Sequence, residues 1–128
     1  MRSALGRPLA ILLAASLLAC ASSGSSRRTR GDTTLITRQQ IDEHHFTNAY
    51  DAVAALHSNW LLAKGTDSFS SPSQVRVYVD NTFFGGVELL RNIDANTIHG
   101  IRYFDGISAT ARWGMDHGQG VIQVTTIR

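Results

Sequence analysis

Apolar and polar positions along the chain fall into two periods. Gln74 to Asp80 (QVRVYVD) alternates at period two, with Val75, Val77 and Val79 on one face and Arg76 and Tyr78 on the other, which predicts a strand. Ile98, Ile101, Tyr103 and Phe104 are β-branched or aromatic, and Asp105-Gly106 closes the run, so a second strand is expected there. Ile107 to Trp113 suits a short helix, and Val121 to Ile127 resumes as a strand, giving the order β-α-β at the C-terminal end. Gly106, which closes the strand run, is read as structural, as are Gly114, Gly118 and Gly120, where the backbone needs freedom that glycine supplies.

The N-terminal half follows the helical period. Leu35 and Ile36 suit a first strand, after which Thr37 and Gln40 form a capping box for a helix of one to two turns. Thr47 is expected to cap a second helix, in which Ala49, Val53 and Leu56 make an apolar face and Asp51 sits in the favourable first turn. Asn59 to Lys64 is expected to be extended, and Gly65 to Ser73 (GTDSFSSPS) to be a polar loop. Asp80-Asn81 suits a tight turn leading to a short strand at Thr82 to Phe84, since asparagine tolerates positive φ. Helical turns follow at Val87 to Ile93 and at Asp94 to Thr97. Together these elements predict an α+β fold, a small mixed β-sheet with short helices packed on it.

Residues 1–19 differ in kind. Arg2 and Arg7 precede an apolar stretch, Leu9 to Leu18, that is too short for the roughly 20 residues of a spanning helix and reads as a signal peptide. Leu17-Leu18-Ala19-Cys20 resembles the lipobox of bacterial lipoproteins, in which the cysteine becomes the lipidated first residue of the mature protein. Cys20 is the only cysteine, so no disulfide forms within the chain. An ordinary signal peptide cleaved nearby is the alternative. Two or more acyl chains, each contributing about 0.8 kcal/mol per buried methylene, anchor a protein stably. The lipoprotein resemblance implies an outer-membrane location, because Ala21 stands where aspartate would favour inner-membrane retention.

Residues 20–31 carry this cysteine and a small, polar segment, ASSGSSRRTRG, expected to be a flexible tether with Arg27, Arg28 and Arg30 near anionic headgroups. Setting aside Arg2, Arg7 and these three leaves seven basic against ten acidic residues, so residues 31–128 carry about −3 despite a whole-chain charge of +2. The basic balance belongs to the leader and tether, and nucleic acid is excluded as a partner.

Ile98-His99-Gly100-Ile101-Arg102-Tyr103, Gly106-Ile107-Ser108-Ala109, Trp113-Gly114 and Gly120-Val121-Ile122-Gln123-Val124-Thr125-Thr126 together resemble the C-terminal half of the plug domain of TonB-dependent outer-membrane receptors. The resemblance extends over Leu35 to Arg128. Asp105 and Ile107 depart from it, standing where the family usually has a basic residue and a proline. The resemblance implies a plug-like fold for residues 32–128, and it implies that the loop at Gly65 to Ser73 helps face a substrate path. Asp32 to Ile36 has two readings: a TonB box, which pairs as a strand with the energising partner, or the plug's own first strand, which is preferred. Transmembrane strands of that family would begin after Arg128, so a plug without a barrel is expected.

Candidate chemistry is sparse. His44 and His45 are adjacent, His57, His99 and His117 are scattered, and no metal-ligand spacing occurs, so neither metal nor cofactor is expected. The chain has no Gly-x-Ser-x-Gly and no phosphate loop. Asp116-His117 is the one catalytic candidate, as a small envelope hydrolase. Trp60 and Trp113 read as core or interface anchors. The leading expectation is a binding or interaction module rather than an enzyme, lipid-anchored in the outer membrane and facing the periplasm. Its alternative is a plug supplied in trans to a separate barrel. Arg76, Tyr78, Arg102 and Arg112 are the candidate interaction surface, directed outward from strands and helix.

Overall fold

The computed structural model describes residues 32–64 and 74–128. The leader, Cys20, the tether and the loop at residues 65–73 lie outside the described residues. The described chain is α+β. It runs β1 (Leu35–Thr37), α1 (Arg38–His44), α2 (Ala49–His57), β2 (Arg76–Val79), β3 (Thr82–Gly86), β4 (Ile98–Phe104), α3 (Gly106–Trp113) and β5 (Val121–Thr126). Single 3-10 turns occupy Ser58–Leu61, Val87–Asn92, Ala95–Thr97 and Met115–His117.

The five strands form one mixed sheet in the order β1-β4-β5-β2-β3. β2 and β5 are parallel, while the other neighbours are antiparallel. Asp80 and Asn81 take φ of 46° and 70°, the pair of positive values that a type I′ hairpin requires. The Asp80 carboxylate also accepts hydrogen bonds from the Thr126 amide at 3.0 Å and from its hydroxyl, which joins the hairpin to the end of β5. These bonds hold the Asp80 carboxyl below its ordinary pKa.

One sheet face is the main core. Ile36, Val77, Ile101, Ile122 and Val124 project from it onto Ala49, Ala52 and Val53 of α2, with Trp60 and Leu90 beside them. Full burial of each large aliphatic side chain is worth about 1.5–3 kcal/mol. Trp60 stacks between His57, at 4.2 Å between ring centroids, and Tyr103, at 5.4 Å. Asn59 to Lys64 is therefore not extended as expected: a 3-10 turn over Ser58–Leu61 brings the indole under the sheet.

The capping box at Thr37 and Gln40 is present. The second helix starts differently from the expectation. Asn48, not Thr47, is its cap, accepting from the Asp51 amide at 2.9 Å, while the Thr47 carbonyl accepts from the Ala95 amide. That bond, with Ala49 N–H to the Ile93 carbonyl, fastens the start of α2 to residues 93–95. Arg38 adds a second fastening, because its guanidinium donates to the carbonyls of Ala95, Asn96 and Ile98.

The opposite sheet face is covered at one end by α3 and the turn after it. Tyr78, Ala109 and Val121 are buried there, with Phe104 and Trp113 packed against them. Asp105 caps α3 by accepting from the Ser108 amide at 2.7 Å.

Candidate interaction surface

The strand register sets the candidate residues on this second face. Arg102, Gln123 and Tyr78 lie side by side on β4, β5 and β2, and Phe104, Val121 and Arg76 form the adjacent row. Neighbours in a row are about 4.8 Å apart. The sheet thus brings Arg76, Tyr78 and Arg102 to one face, and α3 carries Arg112 over the same face.

Their environments differ. Arg102 is exposed. The Arg112 guanidinium lies 5.2 Å from the Phe104 ring centroid and 4.8 Å from that of Trp113, and Arg76 lies 5.6 Å from the centroid of Phe83. Both arginines therefore place their charged ends over aromatic rings, and of the two only Arg112 is exposed. Tyr78 corrects the sequence reading. It is only 9% exposed, and its hydroxyl is 2.8 Å from Nε2 of His117. His117 is itself buried, with Nδ1 3.2 Å from the Gly114 carbonyl. That carbonyl can only accept, so Nδ1 carries the hydrogen and Nε2 accepts from the tyrosine. Tyr78 is an internal strut between β2 and the loop before β5, because α3 and the following turn cover the face onto which it points.

This arrangement also separates Asp116 from His117. The imidazole turns inward onto Tyr78 while Asp116 is exposed, so the two adjacent residues make no acid-base pair in the structure. No group of three or more His, Cys, Asp or Glu that could hold a metal ion occurs among the described residues.

The glycines position α3. A Cβ on Gly106 would stand 1.9 Å from the Gly118 carbonyl oxygen, so α3 begins in direct contact with the loop backbone. Gly120 has φ of 101°, and a Cβ there would lie 2.8 Å from the Phe104 carbonyl oxygen. Gly114, at φ of 109°, turns the chain out of α3. Gly118 corrects the expectation of special backbone freedom at Gly114, Gly118 and Gly120, since its φ of −60° and ψ of −17° are helical.

The close approach of Gly106 and Gly118 leaves a shallow depression of about 680 Å³ lined by Asp105, Gly106, Ile107, Thr110, Ala111 and Gly118. Its walls are largely apolar. The N-terminus of α3 is already occupied by the Asp105 carboxylate, which the Ser108 bonds hold below its ordinary pKa. Two neighbouring side chains are nearly free of protein contact: Ile107 is 84% exposed and Met115 is 85% exposed. Sequence reasoning assigned Ile107 to the helix without assigning its side. The signal was present in the four-residue spacing of Ile107 and Ala111, both exposed, on a side of the helix apart from the buried Ala109.

At the other end of the sheet, Leu35 and Ile36 lie in β1, paired with Arg102 and Ile101, and Ile36 is fully buried. Asp32 folds back locally, accepting from the Thr34 amide at 3.0 Å. No helix among the described residues is long and apolar enough to cross a membrane. No protein-family model and no curated protein matches the chain.

Proposed function

We propose that this chain is a lipid-anchored binding module of the bacterial outer membrane, with a plug-like domain that faces the periplasm and meets a protein partner. The observation that carries the reading is the outward side of α3. Ile107, which lines an apolar depression there, is 84% exposed, and Met115, just past the helix, is 85% exposed, on a domain whose own core is filled without them. Large apolar side chains grouped this way suit a protein contact. Arg112 on the same helix is also exposed and adds positive charge at this end of the domain.

The anchor is supported by the lipobox-like Leu17-Leu18-Ala19-Cys20 and by the small polar segment after it. The plug-like assignment is supported by the spacing of the motifs from Ile98 to Thr126, which fall within β4, α3, the glycine loop and β5. Binding is preferred to catalysis in this reading, a preference supported by His117, the one catalytic candidate, being buried and bonded to Tyr78.

Site-specific photocrosslinking from Ile107 in intact cells tests the proposal. The expected result is an adduct with one discrete envelope protein, lost in Ile107→Asp chains probed from Met115. If the captured protein is a transmembrane barrel, the domain acts as a plug supplied in trans. Absence of any adduct from both Ile107 and Met115 would overturn the binding reading.

A further inference from the structure

We propose that the free edge of β3 is an interface between two copies of this chain, paired antiparallel so that Phe83 lies opposite Gly86 and Phe84 opposite Gly85 of the second copy. Among the described residues β3 ends the sheet, with β2 on one side and no strand on the other. Edge strands are commonly blunted by lysine, proline or inward charge, because open backbone groups accept any strand that arrives. Thr82–Gly86 reads TFFGG and contains none of these, so its short length and the bulge at Phe84 are what limit pairing there. Phe83 and Phe84 are 53% and 40% exposed.

The hairpin geometry decides which backbone groups are open. In a two-residue hairpin the closing pair, here Val79 and Thr82, turns its bonds inward, so Phe83 turns its amide and carbonyl to the free edge. The register then pairs Tyr78 with Phe83 but Val77 with Gly85, leaving Phe84 as the extra residue of a bulge. The next residue facing outward is therefore Gly86. An antiparallel strand with the same spacing sets Phe83 against Gly86 and Gly86 against Phe83, so β3 is complementary to itself. Self-complementarity is the condition for a two-fold interface.

The side chains fit the same register. Each phenylalanine here meets a glycine, which has no side chain of its own to clash with the incoming ring. Leu89 lies across Gly85 and offers Phe84 of the second copy an apolar seat. The Glu88 carboxylate over Gly86 is the mobile end of a side chain and moves aside for Phe83. Phe83 is already steadied by its own sheet, edge-on to Tyr78 at 5.6 Å and beside Arg76.

A standard interface has roughly 20–30 residues a side, so this five-residue strand pairs weakly in dilute solution. Confinement to one membrane surface raises the effective concentration. That last step rests on the anchored reading; the register does not.

The test places a photoreactive benzoylphenylalanine at Phe84 in the full chain, co-expressed with a differently tagged copy that lacks the probe. Irradiation is expected to give an adduct carrying both tags, attached within residues 85–89 of the second copy. Phe83→Lys in both copies is expected to lower its yield by about tenfold, because a lysine blunts the edge. Thr82→Lys, at an exposed position of the same strand, serves if Phe83→Lys does not fold. An adduct with another protein, attachment elsewhere in the second copy, or no adduct overturns the proposal. Membrane fractionation of the same cells reports the anchor separately, so loss of anchoring and loss of pairing are distinguishable.

Discussion

Tyr78→Phe removes one oxygen from the interior and should destabilise the domain well beyond what an exposed tyrosine would. The hydroxyl lies 2.8 Å from Nε2 of His117, and both side chains are buried. The other ring nitrogen is engaged with the Gly114 carbonyl, so the lost bond leaves Nε2 as a buried acceptor without its donor. Such a group costs about 1–3 kcal/mol. For a domain of this size each kcal/mol lowers the melting temperature by about 4–8 °C. The assay is a double-mutant cycle of Tyr78→Phe and His117→Leu, followed by chemical denaturation. Both single changes are expected to destabilise, and the pair to cost less than their sum by about 1 kcal/mol, the coupling of residues in contact. Additive effects would refute the strut and return Tyr78 to the surface.

The three glycines around α3 separate two physical causes. Gly106→Ala meets the Gly118 carbonyl and should cost about 1–3 kcal/mol from overpacking alone, whereas Gly114→Ala has open space and carries only the strain of positive φ. Gly120→Ala combines both, so a melting temperature no lower than that of Gly114→Ala would contradict the packing described for the loop. Burial holds the His57 imidazole below its ordinary pKa, so the unfolded chain binds more protons than the folded one at mildly acidic pH. Stability from this group is complete above about pH 6.5 and declines as pH falls toward the lowered folded value, and His57→Gln should flatten that limb of a melting-temperature profile. Asp80 and Asp105, both held low by hydrogen bonds, contribute above about pH 3.9 and lose that contribution below it as the carboxylates protonate.

The strands were legible because their evidence is local. Period-two alternation marks β2, and the apolar residues from Ile98 to Phe104 mark β4 without reference to any partner. The same alternation tells that Tyr78 and Val77 lie on opposite faces but not that both faces are covered. The cover over Tyr78 arrives from Trp113 and His117, far along the chain. Asn59 to Lys64 was misread as extended for a related reason: Trp60 lies in the core as an anchor, but its stacking partner Tyr103 is distant in sequence and a 3-10 turn brings the indole to it. The second helix cap was misplaced by one residue because Thr47 and Asn48 are both competent caps, and the bond of the Thr47 carbonyl to Ala95 decides between them. Arg38 gave no local sign of its role, since it acts on carbonyls presented by a turn just before β4. On the surface, a residue list by charge favoured Arg76, Tyr78, Arg102 and Arg112. The fold instead singles out Ile107, whose exposure depends on which side of α3 meets the sheet, and Met115, which the turn at Gly114 leaves in solvent.

The proposed tether, a lipid-modified first mature residue holding the domain at the outer membrane, is tested by the mass of the mature N-terminal peptide. The protein should be isolated from membranes of a bacterium with two membranes and its N-terminal peptide measured intact. The expected peptide begins at Cys20 and carries the mass of a diacylglyceryl group on the thiol, while the Cys20→Ser chain remains uncleaved and unmodified. An N-terminus at another residue, or Cys20 present as an unmodified thiol, would contradict the claim.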